Sequence, residues 1–164
     1  MTEIVCITGK ARSAKESVAR MLKDELENNK KRVLITHYAD PVKYVCRNLF
    51  DWNGRMDDEG RSFLQYVGTE IVRARRPDFW VDFTLGLLSM MGDEWDYVII
   101  PDAKYPNELD LERYGFQPHH LRIEGDRQDV SPGITKPEYT IINGGEKRLR
   151  GDVAGVARDL AYAA

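Results

Sequence analysis

The sequence predicts a single α/β domain whose sheet is largely parallel and covered by helices, and two observations predict it. Five short runs rich in Val and Ile, at residues 4–8, 32–36, 97–100, 120–123 and 139–142, are mostly continuous rather than alternating. Strands buried on both faces look like that. The stretches between the runs carry apolar residues at helical spacing, and alternation of strand with helix argues for parallel pairing.

Taken in order, the run IVCIT at 4–8 predicts the first strand. A polar loop follows, and then a helix whose Val18, Met21, Leu22 and Leu26 share one face. After the second strand comes a long helical insert, about 40–92. In it Phe63, Leu64, Val67 and Ile71 fall on one face, and Phe79, Phe83, Leu87 and Met91 repeat every four residues as a core-facing stripe. Asp78 after Pro77 predicts the start of that second helix. The third strand, a connection, and the fourth strand lead to the polar stretch 124–137 (EGDRQDVSPGITKP). A loop of that length in a compact domain is either functional or a plain insertion. The fifth strand and a last helix close the chain.

The chain has 164 residues, enough for one domain with a sizeable core. A hydrophobic share of 42% and a charged share of 31% are those of a folded globular protein. Net charge is −3, so no global basic field recruits a nucleic-acid polymer or an anionic membrane. A small phosphorylated ligand needs only local positive charge. The first residues show no basic segment followed by a long apolar one, so no signal peptide is expected, and 79–91 is too short to span a bilayer. Cys6 and Cys46 have no metal-ligand spacing and read as buried, reduced thiols of a cytoplasmic protein.

The loop after the first strand carries the strongest chemistry: Gly9, Lys10, Ala11, Arg12, Ser13, Ala14, Lys15, Glu16 and Ser17. A phosphate-binding loop needs small residues that let N–H groups curl around an anion. It also needs a lysine for the outer phosphates and a helix N-terminus behind them. Gly9 and Lys15 stand at the spacing of G-x-x-x-x-G-K-[ST]. Ala14 takes the place of the second glycine, where a Cβ crowds phosphates or resists the backbone angles, and Ser17 stands one residue beyond the usual hydroxyl. Ser13 and Glu16 also have the spacing of a capping box, which leaves Gly9, Lys10, Arg12 and Lys15 unexplained.

Other candidates lie where ligands of parallel sheets bind, beyond the carboxyl ends of the strands. Asp40 and Lys43 follow the second strand, as ligand contacts or as a helix cap and a solvated lysine. Arg73 lies in GTEIVRARRPDFW, where arginine forks suit phosphate and aromatic faces suit a base. Phe79 reads as core, while Trp80 stays open between core and base stacking. Asp102 and Lys104 follow the third strand, and an acidic strand tip beside a phosphate loop commonly orients magnesium. Arg122 and Arg127 flank the polar stretch, from which they can close over a transferring group. Asn143, with Gly144 and Gly145, borders a nucleotide base or makes an ordinary turn. His37, His119 and His120 show no ligand spacing.

Together GKARSAKESVA, YADPVK, GRSFLQYVGTEIVRARRPDFW, WDYVIIPDAKYPNE and YTIINGG resemble the deoxynucleoside monophosphate kinases of bacteriophages and bacteria. The chain differs from that pattern at Ala14, at Lys104 (usually arginine) and in SPGITKPE before Tyr139. The resemblance implies a three-layer P-loop NTPase fold with about five parallel strands, a helical acceptor-binding insert and a short lid at about 124–137. It implies phosphoryl transfer from ATP to a (deoxy)nucleoside monophosphate with Mg2+. Lys15 and residues 9–17, with Arg122 and Asn143, would meet ATP, and Glu16, Ser17 and Asp102 would serve the metal directly or through water. Asp40, Lys43, Arg73, Trp80 and Lys104 would hold the acceptor. Lys15, Arg73, Asp102 and Arg127 would be catalytic. A homodimer is expected on the general frequency of dimers. Two rivals stand beside this: a nucleotide-binding protein disabled at Ala14, and a P-loop kinase of a non-nucleotide acceptor.

Overall fold

A computed structural model describes residues 1–125 and 136–163. Five strands form one parallel sheet in the order β2-β3-β1-β4-β5. They are β1 (Glu3–Gly9), β2 (Val33–Ile35), β3 (Tyr97–Ile100), β4 (Gln117–Glu124) and β5 (Tyr139–Ile142), at the five places that the apolar runs predict. Of the three interior strands, β1 and β3 are buried along nearly their whole length, whereas β4 alternates. That explains why the two continuous runs are the most Val- and Ile-rich.

The chain divides into two compact units, residues 1–36 with 91–164 and residues 37–90. In the sheet unit, α1 (Lys15–Asn28) and α5 (Glu146–Ala163) bury Val18, Leu22, Leu26, Leu149, Val153 and Leu160 against Val5, Ile7, Ile99, Leu121 and Ile123. The Tyr97 hydroxyl donates to the Leu160 carbonyl at 2.9 Å, joining β3 to α5, and burial pushes its pKa up to about 12. His119, on β4, lies between Glu3 of β1 (Nε2 to Oε2, 2.6 Å) and Glu138 (Nδ1 to Oε2, 2.8 Å), so a histidine without ligand spacing ties three segments together. Cys6 and Cys46 are buried free thiols.

The second unit holds α2 (Ala39–Leu49), α3 (Asp58–Gln65), a π-helical stretch Tyr66–Arg73 and α4 (Phe79–Met90). The Asp57 side chain caps α3 by accepting from the Gly60 N–H at 2.8 Å. Val42, Cys46, Val67 and Trp80 make its core, with Phe63, Leu64 and Phe79 packed against them.

The stripe expected on α4 is corrected. Phe83, Leu87 and Met91 are exposed, while Trp80, Val81, Thr84, Leu85 and Leu88 are buried. This helix is apolar on almost every side, so spacing could not choose the face that packs.

Candidate active site

The sheet unit builds its site at the tip of β1. That strand pairs with β4 out to Gly9, opposite Ile123, but with β3 only as far as Cys6. The chain then turns sharply into α1. Gly9 has φ 151°, and a Cβ there would lie 2.7 Å from both the Ile123 carbonyl oxygen and the Ser13 Oγ. Only glycine fits, because the neighbouring strand's backbone cannot yield cheaply.

Two residues of the turn, Arg12 (φ 63°) and Ala14 (φ 66°, ψ 21°), take the left-handed conformation. Ala14 therefore accepts the angles that favour glycine, and keeps its methyl half-buried against the core. The capping box that the spacing of Ser13 and Glu16 also allows does not form at the N-cap. Ala14 is itself the N-cap, and it supplies no side-chain cap. Ser13 is instead buried within the turn, its N–H donating to the Lys10 carbonyl at 3.2 Å.

Lys15, the first residue of α1, folds back over the loop. Its Nζ donates to the carbonyls of Gly9 (2.9 Å) and Lys10 (2.6 Å) and reaches Ser13 Oγ at 3.4 Å. Its pKa is lowered, chiefly by burial and next by the charge of Lys104, with Asp102 opposing. The connection after β3 thus brings Asp102 and Lys104 into the electrostatic reach of the loop lysine. Asp102 is half-buried and Lys104 exposed. Glu108, which the sequence reading passed over, is buried at 3% exposure, and its Oε2 accepts the N–H groups of Lys104 (2.6 Å) and Tyr105 (3.0 Å).

Ala11, Glu16 and Ser17 are exposed around the same turn. Arg122 is nearly buried on β4, with Nε 3.5 Å from Glu124. The Asn143 N–H donates to the Glu124 carbonyl at 2.8 Å, so this residue begins a turn anchored to β4. Arg127 lies outside the described residues, as does most of the expected lid at 124–137.

The remaining candidates belong to the helical unit. Asp40 is exposed in the first turn of α2, its Oδ2 accepting the His37 N–H at 3.1 Å, and Lys43 is half-buried one turn on. Arg73 ends the π-helical stretch and is half-buried; such stretches are rare and frequent at functional sites. Trp80 is corrected as a stacking platform. It is 4% exposed, its indole N–H donates to the Gly68 carbonyl at 3.0 Å, and Phe79 meets it edge-on at 4.8 Å. Gly68 packs closely there, since a Cβ would lie 3.2 Å from Val42 Cγ1 and that side chain would have to shift by a few tenths of an ångström.

The comparisons with known proteins agree with the fold. No family model and no curated protein matches the chain. Among solved structures it is similar to the Mycobacterium tuberculosis APS kinase CysC, as a cysteine-to-alanine mutant (TM-score 0.56, 13% identity) and in complex with AMPPNP and APS (TM-score 0.55, 13% identity). In each case 97% of this chain and 96% of that one are covered. It is also similar to the protein APE1195 (TM-score 0.57, 11% identity, 97% and 94% covered). At these identities the likeness shows the fold alone, a five-stranded parallel sheet flanked by helices.

Proposed function

We propose that the protein transfers the γ-phosphoryl group of ATP to a (deoxy)nucleoside monophosphate, giving the diphosphate. One observation carries this reading: the turn from β1 into α1, with Gly9 in a cradle that a Cβ would fill and Lys15 folded over it. The turn fits a row of phosphates. Its helix begins at the left-handed Ala14, which gives no side-chain cap, so the N-terminal dipole of α1 faces the turn and favours an anion there. Lys15 exchanges carbonyl oxygens for phosphate oxygens, which restore the full charge that burial and Lys104 disfavour.

Ser17, Glu16 and Asp102 would hold magnesium, directly or through water. Mg2+ suits such a site, because it keeps several waters and binds through one or two protein oxygens besides phosphate. When bound it supplies charge neutralisation at the transferring group. The acceptor is already an anionic oxygen, so the chain needs no strong base, and its residues orient and neutralise. In the sheet unit Lys104 is assigned to the acceptor phosphate, and in the helical unit the sequence resemblance assigns Asp40, Lys43 and Arg73 to acceptor binding. Arg122 and Arg127 are assigned to the transferred group. Trp80 is left out because its indole is spent inside the core.

A second reading has one observation behind it: a structural neighbour was solved with AMPPNP and APS, so an acceptor other than a simple monophosphate belongs in the test. Coupled ADP release is measured with ATP and a panel of ribo- and deoxyribonucleoside monophosphates, with APS included. Turnover of one or more monophosphates is the expected result. No turnover with any monophosphate, and none restored by Ala14→Gly, overturns the reading. Turnover of APS alone replaces it with the second.

A further inference from the structure

In the helical unit one exposed cation is held in place by its surroundings. Arg47 lies in the last turn of α2, where a positive side chain suits the helix dipole. A lysine on a free stem would serve that purpose as well. Arg47 instead lies over Trp52, its Cζ 5.9 Å from the centre of the indole ring. The chain between them doubles back through two left-handed residues, Asp51 (φ 53°) and Gly54 (φ 80°). A Cβ at Gly54 would lie 3.0 Å from the guanidinium Cζ and closer still to Nη2. Any side chain at 54 would therefore push the guanidinium off the ring.

Trp52 is an unfavourable choice for packing alone. Its indole Nε1 is buried with no hydrogen-bond partner among the described residues. It faces Gly60, where a Cβ would lie 3.1 Å away. An orphaned buried donor is destabilising. Trp52 packs against the core of Val42, Cys46, Val67 and Trp80, a task that leucine or phenylalanine would perform without an N–H. What the indole adds is the best π face for a cation.

Arg47 also continues a line along α2. It stands four residues beyond Lys43 and seven beyond Asp40, and helix residues four apart are neighbours at about 5–6 Å. The sequence resemblance assigns Asp40 and Lys43 to the acceptor. That spacing is roughly the ribose that separates a nucleotide's phosphate from its base. With one face of its guanidinium on Trp52, Arg47 is still exposed, and arginine planes stack on nucleobases.

We propose that Arg47, seated on Trp52, is the stacking platform for the base of the acceptor nucleotide. The inference rests on reading the protein as a nucleotide kinase, and it names the acceptor class. Stacking reads ring area rather than the donors and acceptors on a base edge. Purine and pyrimidine monophosphates therefore both bind, the purines more tightly.

Three variants test it. Arg47→Ala removes the platform, and Arg47→Lys keeps the charge but loses the plane. Trp52→Leu keeps apolar bulk but loses the π face beneath. For each protein, Kd for dAMP, dGMP, dCMP, dTMP and ATP is measured by calorimetry, together with the melting temperature and the rate of ADP release.

Arg47→Ala is expected to weaken the purine monophosphates about tenfold and the pyrimidine ones less, with Kd for ATP within about twofold and the melting temperature unchanged. Arg47→Lys should remain at least about fivefold weaker than wild type for purines. Trp52→Leu weakens the same ligands in the same order, and where it fails to fold, the two Arg47 variants decide. Wild-type affinity in Arg47→Ala overturns the proposal. Restoration by Arg47→Lys also overturns it, because a phosphate contact or a helix charge would then suffice. Equal losses for purines and pyrimidines, or a wild type that binds one base alone or none, overturn it as well. If the wild type binds the monophosphates but transfers no phosphoryl group, the kinase reading has failed, and the binding comparison alone judges Arg47.

Discussion

Ala14 offers the sharpest test of the loop, because its effect on stability and its effect on binding can be worked out separately. At φ 66° and ψ 21° the residue is in the left-handed region, which costs a Cβ-bearing residue roughly 1–2 kcal/mol. Replacement by glycine removes that cost but raises unfolded-chain entropy, worth roughly 0.4–1 kcal/mol in the other direction. The methyl also packs half-buried against the core, and losing it costs up to about 0.8 kcal/mol. Ala14→Gly should therefore fall between about 0.8 kcal/mol less stable and about 1.6 kcal/mol more stable, a melting temperature lowered by no more than about 3 °C or raised by up to about 6 °C. ATP affinity, read by calorimetry, should hold or rise, since glycine takes the same left-handed angles without a Cβ. A melting temperature lowered by more than about 3 °C, or a tenfold weaker Kd, would refute this account, because Ala14 would then be a contact rather than a burden.

Four further outcomes follow from the geometry. Gly9→Ala places a Cβ 2.7 Å from the Ile123 carbonyl, so it should destabilise by about 2–5 kcal/mol in urea unfolding and abolish ATP binding. Lys15→Met should leave the melting temperature within a few degrees while weakening ATP binding at least tenfold, because its bonds to Gly9 and Lys10 are replaceable by water. The lowered pKa of Lys15 means that the folded protein binds fewer protons than the unfolded one between that value and 10.5. Stability attributable to this group should then rise with pH across that window, while ATP affinity falls as the ammonium is lost, both measurable by titrating Kd and unfolding from pH 8 to 10.5. Trp80→Phe leaves the Gly68 carbonyl without its indole donor and should cost about 1–3 kcal/mol, seen as a lower melting temperature with Kd for ATP unchanged.

The strands and the loop were legible for a local reason: a strand buried on both faces writes a continuous apolar run, and a turn around phosphate needs particular residues at fixed spacing. Gly9 and Lys15 satisfy both conditions within one short segment. The misreadings arise where one pattern admits two structures. Ser13 and Glu16 have the spacing of a cap, yet the left-handed Ala14 begins the helix after Ser13 and leaves that side chain inside the turn. On α4 the residues Trp80, Val81, Leu85 and Leu88 are as apolar as that stripe, and only tertiary packing, such as that of Trp80 on Val42, Cys46 and Val67, decides between them. Glu108 was invisible because a glutamate after Pro-Asn reads as a surface turn. Its burial depends on β1 passing underneath, which no local window contains. His119 was silent in the same way, since its partners Glu3 and Glu138 come from distant segments.

The strand order also governs when, during synthesis, this site can exist. β1 emerges first but sits at the centre of the sheet, so Glu3 must wait for Tyr97 on one side and Gln117 on the other. Pairings so distant in sequence close late, because loop entropy is lost before contacts repay it. The helical segment 37–90, whose contacts are local, is complete before either neighbour of β1 has been made. On the proposed function, nucleotide binding would therefore be a late reporter that the sheet has closed.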